Sequence, residues 1–173
     1  MVSDYHDIRQ KNERRYGTDI GRVGPMLLAD RYDDRTHFIF ELLQNAEDAL
    51  ARRGEWQGTR CVSFQLSETY LCVSHFGQPF CEADVRGICG IAESTKALTA
   101  IGRFGIGFKS VYAITDRPEV HSGSESFAIE NFVSPVGVEH KTRLGDETLF
   151  VLPLKSDDSH VFDDVSHGLQ RLG

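Results

Sequence analysis

Glu41, Asn45 and Asp48 stand at i, i+4 and i+7 in a stretch, Arg35 to Arg53, that contains neither glycine nor proline. On a helix these three side chains point the same way. A neutral carboxamide oxygen suits Mg²⁺, which keeps waters and substrate phosphates in its shell, and a carboxylate one turn away can orient or deprotonate an attacking water. The same residues also read as the solvated edge of a helix.

A second group is Gly102-Arg103-Phe104-Gly105-Ile106-Gly107-Phe108-Lys109-Ser110. Glycines let a backbone come close to a phosphate and aim its N–H groups, and a following helix adds a favourable partial charge. The run matches neither the G-x-x-x-x-G-K-[ST] phosphate loop nor the strand-then-G-x-G-x-x-G order of a dinucleotide fold, so a plain tight turn is an equally open reading. The seven histidines form no H-x-x-x-H pair and no H-E-x-x-H helix, which leaves zinc chemistry without support. Cys61, Cys72, Cys81 and Cys89 form no C-x-x-C pair and read as buried free thiols of a reducing compartment.

These groups need elements to hold them. Ile39, Leu42, Leu43, Ala46, Ala49 and Leu50 recur at three- and four-residue steps, which predicts a core-packed helix across Arg35–Arg53. Cys61–Leu66 and Tyr70–Ser74 read as strands joined by a Ser67-Glu68-Thr69 turn. Asp4–Tyr16 reads as a polar helix, after which Gly17, Gly21, Gly24 and Pro25 are expected to break regular structure, making residues 1–30 an N-terminal arm. From His75 to Phe104 the pattern predicts a long, partly mobile segment with a short helix at Glu82–Ile88. Gly105–Ile114 resembles a glycine-rich turn entering a helix, and Glu119–Ser122, Ser126–Ile129 and Thr148–Leu154 read as strands. Hairpin neighbours exclude a purely parallel sheet, so the expected class is α+β: a two-layer α/β sandwich with a mixed, largely antiparallel sheet.

The 173 residues suffice for one domain with a real core, expected over 31–173. A net charge of -7 argues against a large nucleic-acid surface. No apolar run reaches the length of a membrane helix and no signal peptide opens the chain, so the expected location is the cytoplasm. The last residues, Ser166–Gly173, read like the start of another helix, as in the N-terminal module of a longer protein.

The order Glu41-Leu42-Leu43-Gln44-Asn45-Ala46-Glu47-Asp48-Ala49, then Ser94-Thr95-Lys96, then Ile101–Tyr112, resembles the superfamily of gyrases, heat-shock chaperones, histidine kinases and MutL (GHKL, with the Bergerat fold). It looks closest to the heat-shock-90 chaperones and sacsin-type ATPase domains, whose helix carries E-L-x-x-N-A-x-D-A and whose phosphate loop reads G-x-F-G-x-G-F. The likeness spans residues 35–154.

The resemblance implies ATP and Mg²⁺ as cofactors. By it Glu41 falls on the catalytic carboxylate and Asn45 on the magnesium ligand. Asp48, Ala49 and Arg52 fall on the pocket-lining helix face, and Gly102, Arg103, Phe104, Gly105, Ile106, Gly107 and Phe108 on the phosphate loop. Ser94, Thr95 and Lys96 correspond to a lid, and Thr148 to a strand threonine reaching the adenine site. Lys109 matches the sacsin-type sequences better than the chaperones, and could screen phosphate charge or lie on the surface.

The chain departs from the superfamily where D-x-G-x-G usually follows a strand: here stand His75-Phe76-Gly77-Gln78-Pro79. Without the adenine-reading aspartate, His75, a backbone carbonyl near Gly77 or a bound water would do that work. In such proteins a lysine or arginine from a further domain or a dimer partner often completes the site, so slow turnover is expected of this chain alone. A non-hydrolysing, nucleotide-sensing assembly module and a histidine-kinase-type phosphotransferase are the competing readings. The client stays open, because this fold hosts many functions.

Overall fold

A computed structural model describes residues 1–29, 34–91 and 107–172, with no description of side chains 25–29. Its elements are α1 (Tyr5–Tyr16), α2 (Ile20–Ala29), α3 (His37–Arg52), β1 (Ser63–Leu66), β2 (Tyr70–His75), α4 (Glu82–Cys89), a 3₁₀ helix (Phe108–Ala113), β3 (Glu119–Ser122), β4 (Glu125–Glu130), β5 (Ser134–Gly137), β6 (Thr148–Pro153) and α5 (Val161–Gln170). The strands form one six-stranded sheet in the order β1-β2-β6-β3-β4-β5. Every pairing is antiparallel, so the sheet is not mixed. The α+β class holds, with helices layered on an open sheet.

The helix of the apolar stripe forms as α3 and turns Phe38, Ile39, Leu42, Ala46 and Ala49 inward. They join Leu71 and Val73 of β2, Val120 of β3, Phe127 and Ile129 of β4, and Phe150 and Leu152 of β6 in the core. Burying a side chain of this size stabilises by about 1.5–3 kcal/mol, which is why the stripe decides the orientation of α3. Entry to α3 is set by Asp34, whose Oδ1 accepts from the Thr36 backbone N–H at 2.8 Å and its hydroxyl at 2.6 Å. The β1–β2 hairpin closes where expected, the Ser67 N–H reaching the Tyr70 carbonyl at 2.9 Å.

Several sequence expectations need correction. Gly17 ends α1 with φ +76, but Gly21, Gly24 and Pro25 lie inside α2 and do not break it. Packing is the reason: a Cβ on Gly21 would stand 3.1 Å from Asn131 Cα, and one on Gly24 would stand 2.6 Å from Phe132 Cδ1. The glycines let α2 lie directly on the β4–β5 turn, and this contact outweighs their poor helix propensity. In α1, Ile8 is buried in the main core, and Glu125 of β4 accepts from Ser3 and Tyr5, so the first residues are packed onto the sheet.

Residues 108–113 are 3₁₀ and not α-helical. Their i, i+3 eclipse stacks Phe108 on Val111 and Lys109 on Tyr112, all four buried. The edge strand β5, which carries Pro135, was not expected; proline is admitted at a sheet edge. The last helix begins at Val161, ahead of the expected start. All four cysteines are free, yet only Cys89 is fully buried, with Cys61 and Cys81 exposed. Among the described residues no helix is long and apolar enough to cross a membrane.

Candidate nucleotide site

The polar edge of α3 carries the first group. Glu41 Oε1 lies 3.0 Å from His37 Nε2, one turn earlier. The other carboxylate oxygen, Oε2, is seated against Gly107, where an added Cβ would stand 2.1 Å from it. The helix carboxylate and the last glycine of the glycine-rich run, 66 positions apart in sequence, are therefore in contact. Gly107 itself has ordinary right-handed backbone angles, φ -61 and ψ -48. It is glycine for want of space and not for want of a special conformation.

Asn45, one turn beyond Glu41, is 6% exposed, and its buried Nδ2 finds no hydrogen-bond partner among the described residues. An unpaired buried amide costs about 1–3 kcal/mol, so it marks a place where a polar group from outside the protein would be gained. Carboxamide oxygen and nitrogen exchange by a simple flip, so the side chain can present an acceptor to a cation or a donor to a phosphate oxygen. Asp48 is partly buried on the same face. Arg52, at the end of the stripe, pairs with Asp84 of α4 at 2.8 Å, and Asp84 also accepts from the Cys81 N–H at 2.9 Å. Arg52 thus ties α3 to the start of α4.

The opposite end of the site is built on β2 and β6. His75 ends β2 directly across from Thr148, the first residue of β6, and both are buried. The Gly77 N–H donates to His75 Nδ1 at 3.0 Å, so neutral His75 carries its proton on Nε2. Burial, reinforced by the Arg52 charge, lowers His75 to about 4, and it is neutral near pH 7. The ring is thus left with a donor at Nε2. Gly77 packs against Ala49 with no room for a Cβ, and the Gln78 N–H reaches the Ala49 carbonyl at 2.8 Å. Thr148 Oγ1 lies 2.6 Å from Ser122 Oγ, which accepts from the Phe80 N–H at 3.0 Å.

Sequence reasoning missed Ser122, His37 and Arg53. Only His37 had a usable signal, its i, i+4 spacing to Glu41 on a helix. Arg53 reaches the carbonyl of Phe76 at 2.9 Å and Asp146 at 2.6 Å while stacking 3.5 Å above the Trp56 ring, and so clamps the turn after β2.

Lys109 is 1% exposed, so it does not lie on the surface; it donates to the Phe132 carbonyl. Ser94, Thr95, Lys96, Gly102, Arg103, Phe104, Gly105 and Ile106 lie outside the described residues. A cavity of about 340 Å³ lies between Leu43, Ala46, Glu47 and Leu50, on the flank of α3 turned away from Glu41 and Asn45, and a second wall that includes His75 and Gly77. Among the described residues no group of three or more histidine, cysteine or acidic side chains could hold a metal.

The chain is similar in sequence to several known proteins over part of its length. Residues 64–131 match the Sacsin domain family model. Protein NO VEIN of Arabidopsis thaliana is 32% identical over 120 residues, 68% of this chain but 4% of that protein. Sacsin of Homo sapiens is 35% identical over 136 residues, covering 65% of this chain and 3% of sacsin. Chaperone protein HtpG of Aliarcobacter butzleri is 28% identical over 138 residues, 64% of this chain and 22% of HtpG. The chain thus spans a small part of these relatives. Together the matches fit a sacsin-type domain of the GHKL superfamily.

Proposed function

We propose that this sacsin-type GHKL domain binds Mg-ATP along the Glu41–Asn45–Asp48 face of α3 and hydrolyses it slowly, driving conformational change in a larger protein. The observation that carries the reading is the seating of the Glu41 carboxylate against Gly107, beside the unpartnered amide of Asn45. Hydrolysis at a terminal phosphate requires a general base and a phosphate-binding loop to face one shared volume, and this contact brings the two groups to the same place.

In this reading Glu41 orients a water in line with the γ-phosphate, and His37 holds the carboxylate in place from its other oxygen. Binding the phosphates and stabilising charge as it develops is the role assigned to the glycine-rich run, of which Gly107 is the described end. Asn45 is the residue that would hold Mg²⁺, whose chemistry there would be to neutralise phosphate charge and polarise the bond to be cleaved. Asp48 and Arg52 line the middle of the pocket, and Ala49, Gly77, His75 and Thr148 its base end. By the resemblance the lid role falls to Ser94, Thr95 and Lys96, and a cation from another domain or a second copy would complete the site. A cytoplasmic setting is part of the same proposal, in keeping with free, exposed Cys61 and Cys81.

Calorimetric titration of ATP and a non-hydrolysable analogue, with and without Mg²⁺, tests the reading. Magnesium-dependent binding should vanish in Asn45→Ala, and phosphate release should vanish in Glu41→Ala while binding persists. Absence of adenine-nucleotide binding to the wild-type chain would end the proposal. The donor at His75 favours one second reading, a nucleotide-sensing module without productive hydrolysis; binding without any phosphate release, in the presence of the completing domain, would select it.

A further inference from the structure

We infer that Lys109 is a positioning residue: it anchors the start of the 3₁₀ helix, and with it Gly107 and the seat of Glu41, to the β4–β5 turn on which α2 rests. Its consequence for turnover rests on the nucleotide reading above; the anchor stands on geometry alone.

Lys109 is a fully buried cation, and burying a charge costs several kcal/mol unless something compensates it. Among the described residues it pairs with no carboxylate. Its ammonium donates instead to the carbonyl of Phe132 and stands 4.8 Å from the Phe132 ring centre and 5.7 Å from that of Tyr112. A charge-assisted hydrogen bond and two aromatic faces are the compensation. A leucine or methionine would fill the same space without the desolvation cost, but neither could hold a carbonyl. The lysine therefore serves direction more than burial.

The acceptor is an unusual one. Asn131 and Phe132 have φ of +47 and +71, and a positive φ on a bulky aromatic residue costs about 1–3 kcal/mol and persists only where the surroundings enforce it. Three contacts enforce it here: the Lys109 hydrogen bond, the Tyr112 ring at 4.6 Å, and Gly24 of α2 pressed on the Phe132 ring. On the other side of Lys109, Ser110 ties back to Gly107, its N–H reaching the Gly107 carbonyl at 3.0 Å and its hydroxyl the same atom at 2.6 Å. A continuous set of contacts thus runs from α2 through Phe132, Lys109 and Ser110 to Gly107 and Glu41. Its elements are packed polar and aromatic groups with fixed directions, the kind that transmit a displacement instead of absorbing it.

Hydrogen exchange read by mass spectrometry on the full chain tests this without nucleotide. Lys109→Met should leave a cooperative fold while amides of 107–113, 131–134 and α2 exchange about tenfold faster and those of α3, β2 and β6 do not change. Lys109→Arg should restore part of the protection. Gly24→Ala approaches from the far end, displacing the Phe132 ring without touching Lys109, and the same 107–113 amides should respond. Uniform acceleration throughout the chain in Lys109→Met, or a Gly24→Ala response confined to α2 and the turn, would overturn the inference. Where nucleotide is turned over, Lys109→Met should lower kcat more than it weakens ATP binding, and equal losses would again count against it. Failure of the wild type to bind ATP removes the nucleotide reading and leaves the exchange pattern to decide the anchor.

Discussion

Replacing Gly107 by alanine separates positioning from stability at the proposed site. The new Cβ would stand 2.1 Å from Glu41 Oε2 and 2.9 Å from its Cδ, so one of the two must move. The atoms in the way are the far end of a flexible side chain, and the Glu41 carboxylate is the part that yields. The backbone accepts alanine, because Gly107 already has right-handed angles, and reduced freedom of the unfolded chain stabilises by about 0.4–1 kcal/mol. Against this stands the loss of the partly exposed His37–Glu41 contact, about 0.2–1 kcal/mol. The two nearly cancel, so Tm should move by no more than about 4 °C. Turnover should fall by about 10²–10⁴-fold, the contribution of a well-placed general base, with ATP affinity held within about threefold. The matching assays are thermal unfolding, phosphate release and calorimetry, with the ¹⁵N signals of the His37 ring as a direct reporter on its partner. On a Glu41→Gln background the same alanine should add little further loss, since the two changes act on one group. Undiminished turnover, or unmoved His37 signals, would refute the claim that the Glu41 carboxylate depends on its seat against Gly107. A Tm loss beyond about 8 °C would show that the collision is with something unable to yield.

Two further outcomes follow from buried groups. His75 is lowered from 6.5 to about 4, so between those values the unfolded chain takes up a proton that the folded chain refuses; the stability from neutral His75 is complete above pH 6.5 and is lost as pH falls toward 4, about 3 kcal/mol in all. Urea unfolding at stepped pH should show this slope, and His75→Asn should flatten it; an unchanged slope in the variant would place the acid sensitivity elsewhere. The buried Tyr112 hydroxyl has no hydrogen-bond partner among the described residues, so Tyr112→Phe removes an unmet polar group at nearly constant shape and should leave stability unchanged or raise it by about 1 kcal/mol in thermal unfolding. A marked loss would reveal a partner for that hydroxyl.

The helical stripe of α3 was legible because period is a property of neighbouring residues: Glu41, Asn45 and Asp48 must share a face once Ile39, Leu42, Ala46 and Ala49 are buried. The hairpin of β1 and β2 and the strands at Glu119 and Thr148 were legible for the same reason. Alternation and turn residues are written locally. Thr148 and His75 could be named from the motif order, but that they lie opposite each other across β2 and β6 is a matter of register.

Local rules failed where long-range packing set the terms. Gly21, Gly24 and Pro25 look like helix breakers in any window of sequence, and only the fold shows that the two glycines stand where the β4–β5 turn leaves α2 no room for side chains. Lys109 looks like a surface cation, and only the fold encloses it between Phe132 and Tyr112. The meeting of Glu41 with Gly107 and the burial of the Asn45 amide likewise belong to the tertiary structure alone, since each depends on atoms that the chain brings together from distant positions; the tautomer of His75 is set locally, by the N–H of Gly77 two residues on. The sequence by itself determined which residue types could do chemistry and which helix presents them. Their contacts, their burial and so their protonation were decided by the three-dimensional packing, because distance and desolvation are defined only once the chain has closed on itself.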